Sequence, residues 1–314
     1  MTSTVRRLAL LLAFAMGLSL VVDPAVAAHS ASADLPTRID LPNGWQPEGI
    51  TPWVKWLFAG SLKDGAIYRA NAQNGMGRVF VAGETGKAAT GLHIDRWGRL
   101  WAAGASTGEV RVFDARNGKL LQTYTFGPGP MFLNDLDIAR NRVVVTDSMN
   151  ARVGVIPLGE DGALPDPSKA FFMPLTGDFQ VQMGFNANGI AARGGWLVIV
   201  QSNTGFLFRL DPRTGDTKKI DTGGYLVTNG DGIHFRGRAL YVVRNLDNIV
   251  AVLRVGEFLR HARLKGEIKP AAGTVDVPTT ATITLGGLYV VNARFTTPPT
   301  SDTQYWITRL PLKP

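Results

Sequence analysis

From residue 45 onward the chain is a succession of short apolar runs, rich in β-branched and aromatic residues and bounded by Gly, Asn and Asp. That pattern favours short strands over long helices. The runs group into a repeating unit. A polar, a small and an aliphatic residue open it; a turn, a second apolar strand, another turn and a third strand follow. The openings are Glu48-Gly49-Ile50, Thr90-Gly91-Leu92, Asn134-Asp135-Leu136, Asn188-Gly189-Ile190, Asp231-Gly232-Ile233 and, near the end, Thr280-Ala281-Thr282, spaced 42, 44, 54, 43 and 49 residues apart. Neither face of these strands alternates cleanly to polar, as expected where a sheet packs against a neighbour on both sides.

A period of about 40–50 residues with three or four short strands per unit predicts a propeller. The expected fold is all-β: a single six-bladed β-propeller over residues 36–314, with no domain boundary inside it. The sixth unit supplies only three strands before Pro314. Residues 36–42 (PTRIDLP) are therefore expected to add its outer strand, closing the last blade with an N-terminal strand and removing an open edge. The charged segment 254–269 (RVGEFLRHARLKGEIK) reads as a short helix or loop insertion on the rim.

In a propeller the first strand of every blade lines the central channel, so equivalent repeat positions meet. Here they hold Glu48, Thr90, Asn134, Asn188, Asp231 and Thr280. Four are carboxylates or carboxamides, and no Lys or Arg stands at an equivalent position. A carboxylate buried in a narrow channel costs several kcal/mol unless paired or metal-bound. Glu48, Asn134, Asn188 and Asp231 thus read as an oxygen cage for one divalent cation, Ca2+ foremost, with Mg2+, Mn2+ or Zn2+ as alternatives. The competing reading makes them turn residues at strand starts, where Asn and Asp are common.

The motifs PEGI at Glu48, LNDLDI at Asn134, NANGIAA at Asn188 and NGDGIHF at Asp231, one per expected blade and in order, resemble the senescence marker protein (regucalcin), gluconolactonase and luciferin-regenerating-enzyme family. VVVTDS, QSNTGFLFRLDPRTG and VVRNLDNIVAV support the resemblance, which spans residues 40–310. It implies a central divalent cation held by a Glu of the first blade, Asn residues of the middle blades and an Asp of the fifth. It further implies hydrolysis of lactones or related esters, with Asp231 as general base or nucleophile and Asp135 near the metal. A non-catalytic propeller with a structural calcium ion that binds a partner or glycan is the alternative. No substrate-clamping Arg can be identified. His93 and His234, each three residues past a blade opening, read as equivalent packing residues rather than proton donors. Trp45, Trp53 and Trp56 read as blade packing.

Composition narrows this further. Without cysteine, disulfides and thiolate metal sites are excluded. The net charge of +8 comes from scattered Lys and Arg with no basic stripe, which argues against nucleic acid; the resemblance implies a small-molecule lactone or ester as the partner, and the expected state is a monomer. Arg6 and Arg7 before an apolar run from Leu8 to Val22, then Ala25-Val26-Ala27, read as a signal peptide over 1–27, cleaved after Ala27, followed by a flexible entry over 28–35. The expected location is secreted or extracytoplasmic, with no stable membrane span.

Overall fold

The computed structural model describes residues 35–314; the leader, its cleavage site and all but the last residue of the entry segment lie outside the described residues. Six antiparallel sheets follow one another along the chain. Their innermost strands are Pro47–Trp53, Leu92–Ile94, Leu133–Ala139, Ala187–Arg193, Gly230–Arg236 and Pro278–Thr284. Each sheet is a blade of four strands, and the fourth gains a two-residue parallel pairing of Thr176–Gly177 with Asp216–Lys219. The second strands are the apolar runs, among them WLFAGS, RVVVTD and WLVIVQ, almost wholly buried between neighbouring blades. The result is the six-bladed β-propeller that the repeat predicts. No helix among the described residues is long and apolar enough to cross a membrane.

The ring closes as a mixed blade. Arg38–Leu41 pairs antiparallel with Tyr305–Leu310, so the outer strand of blade six comes from the opposite end of the chain. Ile39 and Leu41 face inward against Tyr289, Tyr305 and Ile307, whereas Arg38 and Asp40 face solvent and pair with each other. This alternation gives two expectations for urea denaturation. Ile39→Ala, which empties a nearly fully buried site at the seam, should cost about 2–5 kcal/mol. Asp40→Ala breaks only a solvent-exposed ion pair and should change stability by less than about 1 kcal/mol. Equal effects would mean that the seam carries no stability.

Two expectations are corrected. Segment 254–269 contains no helix: Ile249–Val255 ends in it, and Ala262–Ile268 forms the outer strand of blade five. Its charges fit an edge strand with solvent on one side, where Arg263, Leu264 and Lys265 are exposed. In blade six the register makes Thr279, not Thr280, equivalent to the other blade openings, because Pro278 pairs with Asn292 as Pro47 does with Ser61. Thr279 turns away and donates to the Glu48 carbonyl at 2.6 Å.

Candidate metal and active site

The innermost strands carry an irregularity where the chemistry sits. In blades one, three, four, five and six, one extra residue lies between the first two ladder pairs, as between Pro47 and Ile50 or Ala187 and Ile190. A bulge of this kind re-aims a side chain that regular pleating would turn elsewhere. In four of the five bulges, the residue it displaces is Glu48, Asn134, Asn188 or Asp231. The next residue is glycine in three of these four, and the reason is proximity. A Cβ on Gly49 would lie 2.2 Å from the Thr90 carbonyl oxygen, and one on Gly189 would lie 2.2 Å from that of Asp231. Neighbouring innermost strands approach backbone to backbone there.

Glu48, Asn134, Asn188 and Asp231 line one cavity of about 340 Å3, so the structure brings together all four residues singled out in the sequence. All four are buried. The amide nitrogen of Asn134 donates to Ser148 Oγ at 3.0 Å, that of Asn188 to Ser202 Oγ at 3.0 Å, and Asn245 Nδ2 donates to Asp231 Oδ2 at 2.7 Å. Ser148 in turn donates to the Ala187 carbonyl, and Ser202 to the Gly230 carbonyl. Each supporting residue stands 14 places after the one it holds, directly past the second strand of the blade. These anchors fix the amide orientation. With their nitrogens tied back, Asn134 Oδ1, Asn188 Oδ1 and Asp231 Oδ1 are buried without a hydrogen-bond partner, as is Oδ1 of Asn203, which also lines the cavity.

The electrostatics agree with the geometry. Burial, with repulsion from Asp231 and Asp135 added, raises the Glu48 carboxyl well above the usual carboxylate range. Burial pushes Asp231 up to about 7 against the opposing hydrogen bond from Asn245. Asp135 is likewise pushed up to about 7 by burial, although it accepts from the Leu136 and Ile190 amides. No Lys, Arg or His lines the cavity. Unpartnered oxygens and repelling carboxylates with no facing cation are what a bound divalent ion would satisfy, so the residues present fit one. Among the described residues no cluster of three or more His, Cys, Asp or Glu suited to a metal occurs; this set mixes two carboxylates with carboxamides.

A pH dependence follows. An acid whose folded pKa lies above its unfolded value binds more protons when folded, so stability falls as pH rises between the two values. Metal-stripped protein should therefore lose stability as the pH rises from about 4 through about 7, Asp231 alone contributing on the order of 4 kcal/mol, with the raised Glu48 carboxyl acting in the same sense. Asp221, pulled down to about 2 by the Gly223 amide, Arg263 and His261, acts only below that window. Urea midpoints in EDTA across pH 4–8 check this, and a flat profile would contradict it.

Other residues fall elsewhere. Asp135 reaches the opposite side of its strand and, with His93, Asp137 and His234, lines a second cavity of about 240 Å3 further along the innermost strands. His93 Nδ1 lies 3.3 Å from Asp137, and burial holds His234 below the ordinary imidazole range. Neither histidine faces the Glu48–Asp231 cavity. Trp45 packs in the core between blades six and one, and Trp53 and Trp56 pack against the core between blades one and two. The sequence reading missed Ser148, Ser202, Asn203 and Asn245. A polar residue 14 places after three of the four site positions was the available signal; Glu48 has Leu62 there instead.

No protein-family model matches the chain, and no curated protein matches it. Solved structures do. The major allergen Mala s 1 of Malassezia sympodialis aligns over 88% of this chain and 96% of its own, with a TM-score of 0.69 and 15% identity. Virginiamycin B lyase from Staphylococcus aureus aligns over 88% and 89%, with a TM-score of 0.59 and 16% identity. A streptogramin B lyase aligns over 87% and 96%, with a TM-score of 0.54 and 12% identity. At such identities the likeness is one of fold.

Proposed function

We propose that this protein is a divalent-cation-dependent hydrolase of lactones or related esters, of the gluconolactonase-like kind. The observation that carries the reading is the cavity floor, where Asn134, Asn188, Asn203 and Asp231 each present a buried oxygen without a partner beside the buried carboxyl of Glu48. Glu48, Asn134, Asn188 and Asp231 would hold the ion, and an all-oxygen set with two carboxylates suits Ca2+. Such an ion, when bound, polarises a carbonyl and stabilises the oxyanion that develops on it.

Asp231 is the base. Its Oδ2 is held by Asn245, and its Oδ1, which has no hydrogen-bond partner, carries two lone pairs, one that would face the ion and one that would take a proton from water. The water oxygen bonds to the carbonyl carbon, the bond from that carbon to the ester or ring oxygen breaks, and the proton passes to the departing alkoxide. A lactone gives one hydroxy acid, and an open ester gives an acid and an alcohol. The lyase likeness does not carry over. A histidine-to-alanine variant of the S. aureus lyase is described as catalytically inactive, whereas no histidine lines this cavity.

The test is calcium titration of EDTA-treated protein, followed by melting and then by turnover of a lactone and aryl-ester panel. The reading expects a calcium-dependent rise in the midpoint and calcium-dependent turnover. An unchanged midpoint would overturn the ion site. Binding without turnover of any ester would leave a calcium-holding binding protein.

A further inference from the structure

We propose that the cavity selects uncharged esters or lactones with an apolar body, rather than polyhydroxylated sugar lactones or anionic substrates; the proposal rests on the hydrolase reading above. Above the polar floor the walls are Leu62, Phe132, Phe185, Leu246 and Phe295. Phe132 and Phe185 meet edge to face at 5.2 Å, while Phe185, Leu246 and Phe295 are 51%, 56% and 53% exposed. Half-exposed aromatic and aliphatic side chains converging on one mouth mark a ligand surface.

The apolar wall is held in place. The loop bearing Phe185 is tied down by Gln201 Nε2 to the Gln180 carbonyl at 2.8 Å, Asn186 Nδ2 to the carbonyls of Gln182 and Gly184 at 2.9 and 2.8 Å, and Asn203 Nδ2 to the Met183 carbonyl at 3.0 Å. Val181 and Met183 on the same loop are 44% and 97% exposed, so it also presents apolar surface outside the cavity wall.

The polar lining offers a polyol little. The side-chain nitrogens of Asn134, Asn188, Asn203, Asn229 and Asn245 are each committed to a protein acceptor. Sugar hydroxyls would give up their own water against the apolar walls, and each of these amides has already committed at least one of its two N–H groups. Anions fare no better. No Lys, Arg or His lines the cavity, and a divalent ion on Glu48 and Asp231 only balances the two carboxylates. At about 340 Å3 the space suits a small ring with a short tail.

The test uses calcium-loaded full-length protein with two readouts, ligand-induced shift of the melting midpoint and kcat/KM. The ligands are γ-lactones with unbranched alkyl tails of increasing length, alongside glucono-δ-lactone. Apparent affinity should rise up to about fourfold per methylene until the cavity is filled. Phe295→Ser and Leu246→Ser, both at half-exposed positions, should flatten that slope while leaving the ligand-free midpoint and calcium affinity unchanged. A chain-length slope in binding with no turnover would sink the hydrolase reading and keep the apolar selectivity. Tighter binding or faster turnover of glucono-δ-lactone, or a slope that neither serine variant alters, would overturn the proposal.

Discussion

Asp231→Asn should leave the ring folded, abolish the calcium response and lower ester turnover by about a hundredfold to ten-thousandfold. The amide fills the same volume and can still accept from Asn245, so the packing around residue 231 persists. The negative charge and the proton acceptor are lost together. Stability should move in the opposite sense. In metal-stripped wild type above pH 7, Asp231 is a buried charge close to Glu48 and Asp135, and the variant removes that repulsion. In EDTA at pH 8 the variant should therefore melt higher than wild type, and at pH 5, where the wild-type carboxyl is protonated, the two should converge. Calcium at about a hundred times its dissociation constant stabilises wild type by about 2.7 kcal/mol and should narrow the gap at pH 8. Calorimetry at both pH values, with and without calcium, reads all four arms. A variant that melts lower than wild type in EDTA at pH 8 would contradict the electrostatic picture.

Gly189→Ala is expected to be the most damaging single-methyl change in the channel. Its Cβ would fall 2.2 Å from the Asp231 carbonyl oxygen, 2.8 Å from the Ile233 nitrogen and 2.9 Å from the Gly232 Cα. All three atoms are backbone, so no rotamer change relieves the clash; the innermost strands of blades four and five must separate. Overpacking of well-filled interiors costs about 1–3 kcal/mol and occasionally more, and a backbone clash belongs at the upper end. Separation also moves Asn188 away from Asp231, so calcium affinity should fall with stability. Gly127→Ala is the control, since its Cβ would meet nothing within 4 Å. Urea unfolding should give about 3 kcal/mol for the first and within about 0.5 kcal/mol for the second. Comparable values would mean that the close approach is not enforced.

Much of this was readable from residue types at fixed intervals. The six openings, the short last unit and the alternating PTRIDLP segment lead to the ring and its seam, because repeats and edge strands leave marks in hydrophobic pattern. Glu48, Asn134, Asn188 and Asp231 were legible because a channel makes equivalent positions converge. What escaped depends on pairing partners. In PTTATIT two consecutive threonines give no sign of which is displaced, and only the pairing of Pro278 with Asn292 selects Thr279. The outer strand Ala262–Ile268 looked like a rim insertion because an edge strand with solvent on one side loses the apolar run that marks an inner one. Phe132, Phe185, Leu246 and Phe295 come from four separate loops, and nothing local says that such loops share a cavity.

The seam also determines how the ring answers to mechanical load. Arg38 pairs with Thr308 and Leu41 with Tyr305, so the two strands run antiparallel and both chain ends leave from the same end of the pair. A force drawing residues 35 and 314 apart does not shear this ladder as a block. It peels the ladder from Arg38 and Thr308 inward, one pairing at a time, as a zip opens. The closing clasp is thus loaded one pairing at a time under tension, and releasing its four pairings exposes the Tyr305–Leu310 strand as a free edge.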